Sequence, residues 1–181
     1  MNIVDSSFVN NKADGNGGAI NNIGGNVKIT ASDKDVLFSG NTANGKANDI
    51  YMANNDDNMA VVTFDGSKTT TLNGGISGNG TIVKNGSGTL ALGGDNRGFN
   101  GDVVYNGGET RLLENAQYLS AVNTTFDNNG MLNLIDNKTD DHINFNNLNL
   151  KGNGRIGIDV DMKNGLNDTI AANTVTGDGK L

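Results

Sequence analysis

Hydrophobic and polar residues alternate along this chain in short stretches of three to six residues, each closed by glycine, asparagine or aspartate. This period of two is typical of β-strands that bury every second side chain, and the 3.6-residue period of an amphipathic helix is almost absent. The only stretch with helical character is residues 112–122. The pattern predicts strands at residues 27–30, 36–38, 49–52, 60–64, 69–72, 81–84, 89–92, 103–105, 110–113, 131–135, 142–145, 148–150, 155–160 and 168–171.

The spacing of the predicted strands indicates how they are arranged. Leu72, Leu90, Thr110 and Leu132 mark strand centres that are 18, 20 and 22 residues apart. A repeat of about twenty residues is typical of a β-solenoid, in which each turn consists of two or three short strands joined by tight corners. A β-sandwich, with a strand about every 8 to 12 residues, also fits this spacing.

Composition favours the solenoid. The 181 residues include 33 Asn and 27 Gly, but only 3 Tyr and no Trp. Solenoid corners use left-handed backbone, which glycine and asparagine adopt readily, and stacked asparagine side chains hydrogen-bond along the axis. We therefore predict an all-β solenoid in which inward-facing aliphatic residues stack on their counterparts in adjacent turns, among them Ile82, Leu90, Leu92 and Val103.

Composition and charge also exclude several classes of function. The chain has no cysteine, which excludes disulfides, cysteine nucleophiles and thiolate metal sites. A net charge of −7 disfavours nucleic acid and anionic lipid as partners. The longest apolar runs span four residues, as at 59–62, so we expect no insertion into a membrane. The first twenty residues lack the basic start and apolar core of a signal peptide, and any export signal is expected outside this chain.

Residues 84–112 carry the most specific sequence motif. The segment KNGSGTLALGGDN at 84–96 is followed by Phe99-Asn100-Gly101 and by NGGETRL at 106–112. This stretch resembles the autotransporter-associated β-strand repeat, which begins KxGxGTLxLxGxN and continues with an aromatic residue, a glycine, a short strand and a closing GGTL. It departs from that pattern at Glu109 and Arg111, within the closing strand.

Both ends of the chain show further similarity to exported bacterial proteins. The segments FVNN at 8–11 and GGAI at 17–20 resemble paired motifs of polymorphic outer-membrane passengers, and FSGN at 38–41 repeats the first of them. Residues 155–160 and 167–170 are similar to late coils of an autotransporter passenger. These resemblances imply a right-handed parallel β-helix (solenoid) over residues 1–181. They also imply a fragment of a longer passenger that is exported across the bacterial outer membrane to the cell surface or secreted.

Candidate chemistry on this chain is sparse. The single histidine, His142, follows Asp140 and Asp141, but no Gly-x-Ser-x-Gly elbow accompanies them. Asp159 and Asp161 alternate with Ile156, Ile158, Val160 and Met162 and should project from one face, away from the core. Paired carboxylates suit glycoside hydrolysis or a calcium site at a turn. A uronate lyase needs clustered basic groups, whereas the arginines are only Arg97, Arg111 and Arg155.

We therefore expect no catalytic residue, no cofactor and no bound metal. The expected function is that of an elongated scaffold in adhesion or self-association, with a host-surface or matrix protein, a glycan, or a second copy joined through exposed terminal strands as partner. Two alternatives stay open. One is a carbohydrate-active β-helix enzyme, a polysaccharide lyase or glycoside hydrolase, and the other is a passive stalk.

Overall fold

A computed structural model describes residues 1–114 and 116–181. These residues form 23 strands and no helix, so none of them builds a helix long and apolar enough to cross a bilayer. The strands are β1 (Asn2–Val4), β2 (Phe8–Val9), β3 (Lys12–Ala13), β4 (Ile20–Ile23), β5 (Gly25–Ala31), β6 (Val36–Ser39), β7 (Thr42–Ala43), β8 (Lys46–Ala47), β9 (Ile50–Ala53), β10 (Ala60–Gly66), β11 (Thr70–Leu72), β12 (Ile76–Gly78), β13 (Thr81–Lys84), β14 (Thr89–Leu92), β15 (Asp102–Tyr105), β16 (Glu109–Leu112), β17 (Asn123–Phe126), β18 (Met131–Asn133), β19 (His142–Leu150), β20 (Arg155–Gly157), β21 (Val160–Asp161), β22 (Leu166–Asn167) and β23 (Thr169–Gly177).

Most strands belong to long parallel sheets. Sheet 1 has eight strands in the order β1-β5-β10-β13-β15-β17-β19-β23, and sheet 2 has seven in the order β2-β6-β11-β14-β16-β18-β20. Sheet 3 is shorter, with the order β12-β9-β4. The predicted all-β class and parallel strand arrangement are confirmed. Sandwiches are built from antiparallel sheets, so the parallel pairing argues against that alternative.

The register of sheet 1 is nearly constant in its centre. Thr81 pairs with Asp102, and Asp102 pairs with Asn123, so each step to the neighbouring strand takes 21 residues. The step is longer near the start, where Gly25 pairs with Ala60. The chain therefore returns to the same sheet at regular intervals, and we call the residues between two such returns a pass.

Paired residues in sheet 2 are separated by similar sequence intervals. Leu90 pairs with Thr110, which pairs with Leu132, so the predicted 20- and 22-residue intervals are confirmed. The 18-residue interval is wrong by two residues, because Leu72 pairs with Leu92 rather than with Leu90. A shift by two keeps the same side chains on the inner face, which is why the hydrophobic pattern alone did not distinguish the two registers.

A single buried cluster runs along the inner faces of the sheets, from Ile3 to Leu148. In sheet 1, Val62 lies beside Ile82, and Ile82 lies beside Val103, each at most 2% exposed. Burying each such side chain contributes roughly 1.5–3 kcal/mol before the entropy cost is subtracted. The predicted inward stacking of aliphatic residues is confirmed for Ile82, Val103 and Leu92, whereas Leu90 lies between the buried Thr70 and Thr110.

Two local predictions are wrong. Residues 112–114 and 116–122 contain no helix; Asn115 lies outside the described residues. Gln117 forms a parallel bridge with Asp95 in the preceding pass, and its N–H donates to the carbonyl of Gly94 at 2.8 Å instead of to a carbonyl of a helical turn. The strand predicted at 155–160 ends at Gly157. Beyond it the chain leaves the core in the β21–β22 hairpin, so Val160 is 58% and Met162 91% exposed.

Candidate functional site

An open groove lies on the side of the molecule where sheet 3 has ended. Beyond β12, the described residues on this side pair through isolated bridges, between Gly78 and Phe99 and between Asp95 and Gln117. Three adjoining depressions of about 160, 180 and 320 Å³ lie between the segment after β16 and the segment that runs from the end of β18 into β19. Gln117 lines all three. We call this feature the side groove.

An aromatic ring forms part of the groove wall. Tyr118 lines the groove, but its hydroxyl turns inward and lies 2.7 Å from the hydroxyl of the buried Tyr105. The Tyr118 ring meets Phe145 edge-on, with ring centroids 6.1 Å apart. Burial raises the pKa of both tyrosine hydroxyls, so they stay protonated and bond to each other. The part of Tyr118 that lines the groove is therefore its ring, because its hydroxyl is directed towards Tyr105.

His142 also lines the groove, but its contacts are not those of a catalytic triad. Its Nδ1 atom lies 2.5 Å from the hydroxyl of Thr169, where a triad would place a carboxylate. Ser120 lines the same depression. The structure thus brings His142 into one groove with Asp140 and Asp141, while its orienting partner is a threonine.

Carboxylates dominate one end of the groove. Asp136, Asp140 and Asp141 line it together. Partial burial raises the pKa of Asp141, and the negative charges of Asp168, Asp136 and Asp140 add to this effect. Asp168 is nearly fully buried and accepts a hydrogen bond from the backbone N–H of Asp141 at 3.2 Å.

Basic groups offset this charge in part: Lys138 lines the groove, and its ammonium lies 4.0 Å from a carboxylate oxygen of Asp136. Arg97 donates two hydrogen bonds to Asp95, at 2.9 and 2.8 Å. The ammonium of Lys138 lies 3.1 Å from a carboxylate oxygen of Glu114. Arg111 and Arg155 are exposed residues of sheet 2, on β16 and β20, and line none of the three depressions. The three arginines are therefore not brought together.

The predicted carboxylate pair after β20 is not a joint site. Asp159 Oδ2 accepts hydrogen bonds from the backbone N–H groups of Asp136 and Asn137, at 2.8 and 2.9 Å. Asp161 instead closes the hairpin turn by accepting from the N–H groups of Lys163 and Asn164. Asp159 therefore stabilises a turn of the preceding pass, whereas Asp161 stabilises its own hairpin turn. Among the residues that the structure describes, no three acidic or histidine side chains are placed to hold a metal ion.

Three buried charged residues, Lys84, Asp49 and the Asp168 described above, were not predicted from the sequence. Lys84 is 3% exposed, and its ammonium donates to the backbone carbonyls of Asn85, Gly86 and Gly107. Asp49 is fully buried and accepts hydrogen bonds from the Asn41 side chain and the Gly74 N–H. A signal for Lys84 existed, because it follows the inward-facing Ile82 by two residues.

Comparisons with protein-family models, curated proteins and solved structures find no match to this chain.

Proposed function

We propose that residues 1–181 form a right-handed parallel β-helix that serves as a non-catalytic scaffold in a surface-displayed autotransporter passenger, acting in adhesion or self-association. The observation that carries this proposal is the register of the two long sheets, whose central steps are all 20 to 22 residues. A chain that visits both sheets in each pass advances by one strand spacing, about 4.8 Å. Crossovers between parallel strands of one sheet are right-handed in nearly all proteins, which supports the handedness.

The motif at 84–112 supports the family assignment. Its three expected strands correspond to β14, β15 and β16. Glu109 and Arg111, where the motif departs from the family pattern, lie on either side of the buried Thr110 and do not interrupt β16. The departure therefore affects the outer surface and leaves the packing of the strand intact.

The outer surface supports a role in contact with other molecules. Outward positions of sheet 1 carry short polar side chains, including Thr81, Asp102, Asn123 and Asn147. Such a surface suits many weak contacts spread over several passes, whereas a catalytic cleft concentrates reactive groups at one point.

Surface display is tested with antibodies raised against the purified chain. We expect them to label intact cells of the source bacterium, and labelling that appears only after permeabilisation would contradict the proposal. Adhesion is tested with beads coated with the chain and presented to matrix proteins, glycans and host cells, with heat-unfolded chain as control. Self-association is measured by sedimentation over a range of concentrations. Display without binding or self-association would favour the passive stalk.

One observation favours the alternative function of a carbohydrate-active enzyme: the carboxylates Asp136, Asp140 and Asp141 lie in the side groove. Incubating the chain with neutral and acidic polysaccharides distinguishes the two functions. New reducing ends indicate hydrolysis, and new absorbance from unsaturated uronates indicates a lyase. Either product would overturn the non-catalytic scaffold, provided that Asp141→Asn abolishes it.

A further inference from the structure

We infer that the side groove is a binding site for an oligosaccharide chain that carries no acidic groups. This inference rests on the proposed function in adhesion and adds a ligand class and a location to it. It is drawn from the shape of the groove, from its unused hydrogen-bonding groups and from its charge.

The groove has the shape of an extended ligand. Its three depressions follow one another, sharing Gln117, Asp140 and Asp141 at one junction and Gln117, Tyr118 and His142 at the next. It is open to solvent along its length. A chain of sugar rings can therefore lie along it and leave at either end, whereas a small apolar ligand needs an enclosed pocket.

Several polar side chains along the groove have donors and acceptors that are not used in hydrogen bonds within the described residues. Within residues 1–114 and 116–181, the side chain of Asn144 makes no hydrogen bond, and Gln117 donates only one, at 3.4 Å, to the carbonyl of Ala116. The Nδ1 atom of His142 contacts the hydroxyl of Thr169, which leaves the Nε2 atom available to a ligand. Amides, an imidazole and carboxylates at close spacing match the paired hydroxyls of a sugar.

The Tyr118 ring supplies an apolar surface beside these polar groups. Because its hydroxyl is held by Tyr105, the ring is fixed in place before any ligand arrives. A fixed ring loses little conformational entropy on binding and can pack against the C–H face of a sugar.

Charge determines which sugars fit. Asp136, Asp140 and Asp141 line the groove and outnumber its cations. Lys138 is shared between Glu114 and Asp136, at 3.1 and 4.0 Å, and Arg97 pairs with Asp95. A polyuronate would meet this negative charge at close range, and its binding is therefore disfavoured. Neutral sugars and sugars with a free amine avoid that repulsion.

The test uses the purified 181-residue chain and hexasaccharides of glucose, mannose, N-acetylglucosamine, glucosamine and galacturonic acid. Saturation-transfer NMR detects binding, and calorimetry gives the affinity. We expect at least one of the first four to bind one-to-one and the galacturonate hexamer not to bind. Gln117→Ala and Asn144→Ala should each weaken binding about fivefold, as expected for the loss of one hydrogen bond. Asn58→Ala, an exposed change far along the chain from the groove, should leave it unchanged.

A second pair of variants tests the role of the ring. Tyr118→Phe keeps the ring but removes the hydroxyl that fixes it, so it should weaken binding by a few-fold, whereas Tyr118→Leu should lose most affinity. NMR spectra of both variants establish that they are folded. Binding of none of the four sugars, or binding that Gln117→Ala and Asn144→Ala leave unchanged, overturns the inference. So does binding of hexalysine alone, which would identify a site for basic peptides. In each case intact-cell labelling still decides the proposed display function independently.

Discussion

Lys84 shows how one residue links two neighbouring passes. Its ammonium bonds to carbonyls of its own corner, at Asn85 and Gly86, and to that of Gly107 in the next pass. Burial lowers the pKa of Lys84 to about 8, against 10.5 for an ordinary lysine. Between these two values the unfolded chain binds more protons than the folded chain. This residue therefore makes the free energy of unfolding rise with pH across that window.

Replacing Lys84 removes this titration. We expect the free energy of unfolding of wild type to rise relative to that of Lys84→Met as the pH increases from about 8 to 10.5, because only wild type has the buried amine. Urea unfolding at pH 7, 8.5 and 10 measures the difference. Lys163→Met, in the exposed hairpin turn, is the control and should follow wild type. Parallel pH profiles for wild type and Lys84→Met would show that the ammonium is not desolvated.

Gly86 occupies a corner where only glycine fits. Its φ is +67°, and a Cβ placed on it would lie 2.3 Å from the carbonyl oxygen of Gly66 in the preceding pass. Gly86→Ala should therefore reduce the free energy of unfolding by roughly 1–3 kcal/mol, as strained backbone does. Gly15→Ala, at an exposed site with no atom within 4 Å of the added Cβ, should change it by less than about 0.5 kcal/mol. Thermal or urea unfolding measures both, and equal effects would contradict the close approach of the two corners.

Residue chemistry was only partly predictable from sequence. Left-handed corners were expected at asparagine and glycine, and Asn10, Asn44 and Asn128 do have positive φ. The position of Tyr118 in a groove wall was not predictable, because it depends on contacts with Tyr105 and Phe145 from other passes. A sequence pattern reports which side chains are buried locally, and it does not report which distant segments meet.

At the scale of elements, asparagine ladders tie successive strands and corners together. Asn106 donates to the Asn85 side chain at 2.9 Å and accepts from Asn128. A second ladder runs from Asn147 to Asn123 at 3.0 Å and on to Asp102 at 2.7 Å. The expected stacking of asparagine side chains along the axis is thus confirmed. Each ladder adds side-chain hydrogen bonds parallel to those of the backbone.

Replacing the central asparagine of a ladder should lower the free energy of unfolding. Asn106→Ala removes two side-chain hydrogen bonds, and we expect a loss of about 1–2 kcal/mol in the free energy of unfolding. Asn100→Ala is the matched control, since this exposed side chain makes no hydrogen bond within the described residues, and its effect should stay within about 0.5 kcal/mol. Denaturant titration compares them. A loss no larger than that of the control would show that water replaces the ladder at no cost.

Strand positions were predictable where the strands are long enough to show alternation and where their inward residues are apolar. The predicted segments 60–64, 81–84 and 89–92 fall on β10, β13 and β14. Two-residue strands such as β2 and β3 were missed, because two residues cannot display a period of two. The four-residue strands β4 and β17 were also missed, because a polar residue, Asn22 or Thr124, occupies a buried position in each. The exposed apolar residues of the β21–β22 hairpin caused the opposite error. Their alternation with polar residues predicted a strand with a buried face, although no core lies behind them.

At the scale of the whole molecule, stability should be graded from pass to pass, because within residues 1–114 and 116–181 the strands of the long sheets pair with those of the adjacent passes. The strand β23 pairs on one side with β19, and eight of its nine residues are exposed. Interior strands such as β13 and β15 are paired on both sides and bury every second residue.

Hydrogen exchange followed by mass spectrometry tests this gradient. Peptides that cover Thr169–Gly177 should exchange fastest among the strands of sheet 1, and peptides that cover Thr81–Lys84 and Asp102–Tyr105 should exchange slowest. Uniform protection along sheet 1 would instead indicate that all passes unfold together in one cooperative unit.

The constant 21-residue step from Thr81 to Asp102 to Asn123 also makes the molecule modular. A tandem copy of residues 81–101 would supply one further strand to sheet 1 and one to sheet 2, with every inward side chain still facing inward. The molecule would become longer by about 4.8 Å and otherwise keep its cross-section. Duplication of the gene segment for one pass can therefore lengthen the molecule by a fixed increment, and the fold stays the same at every step.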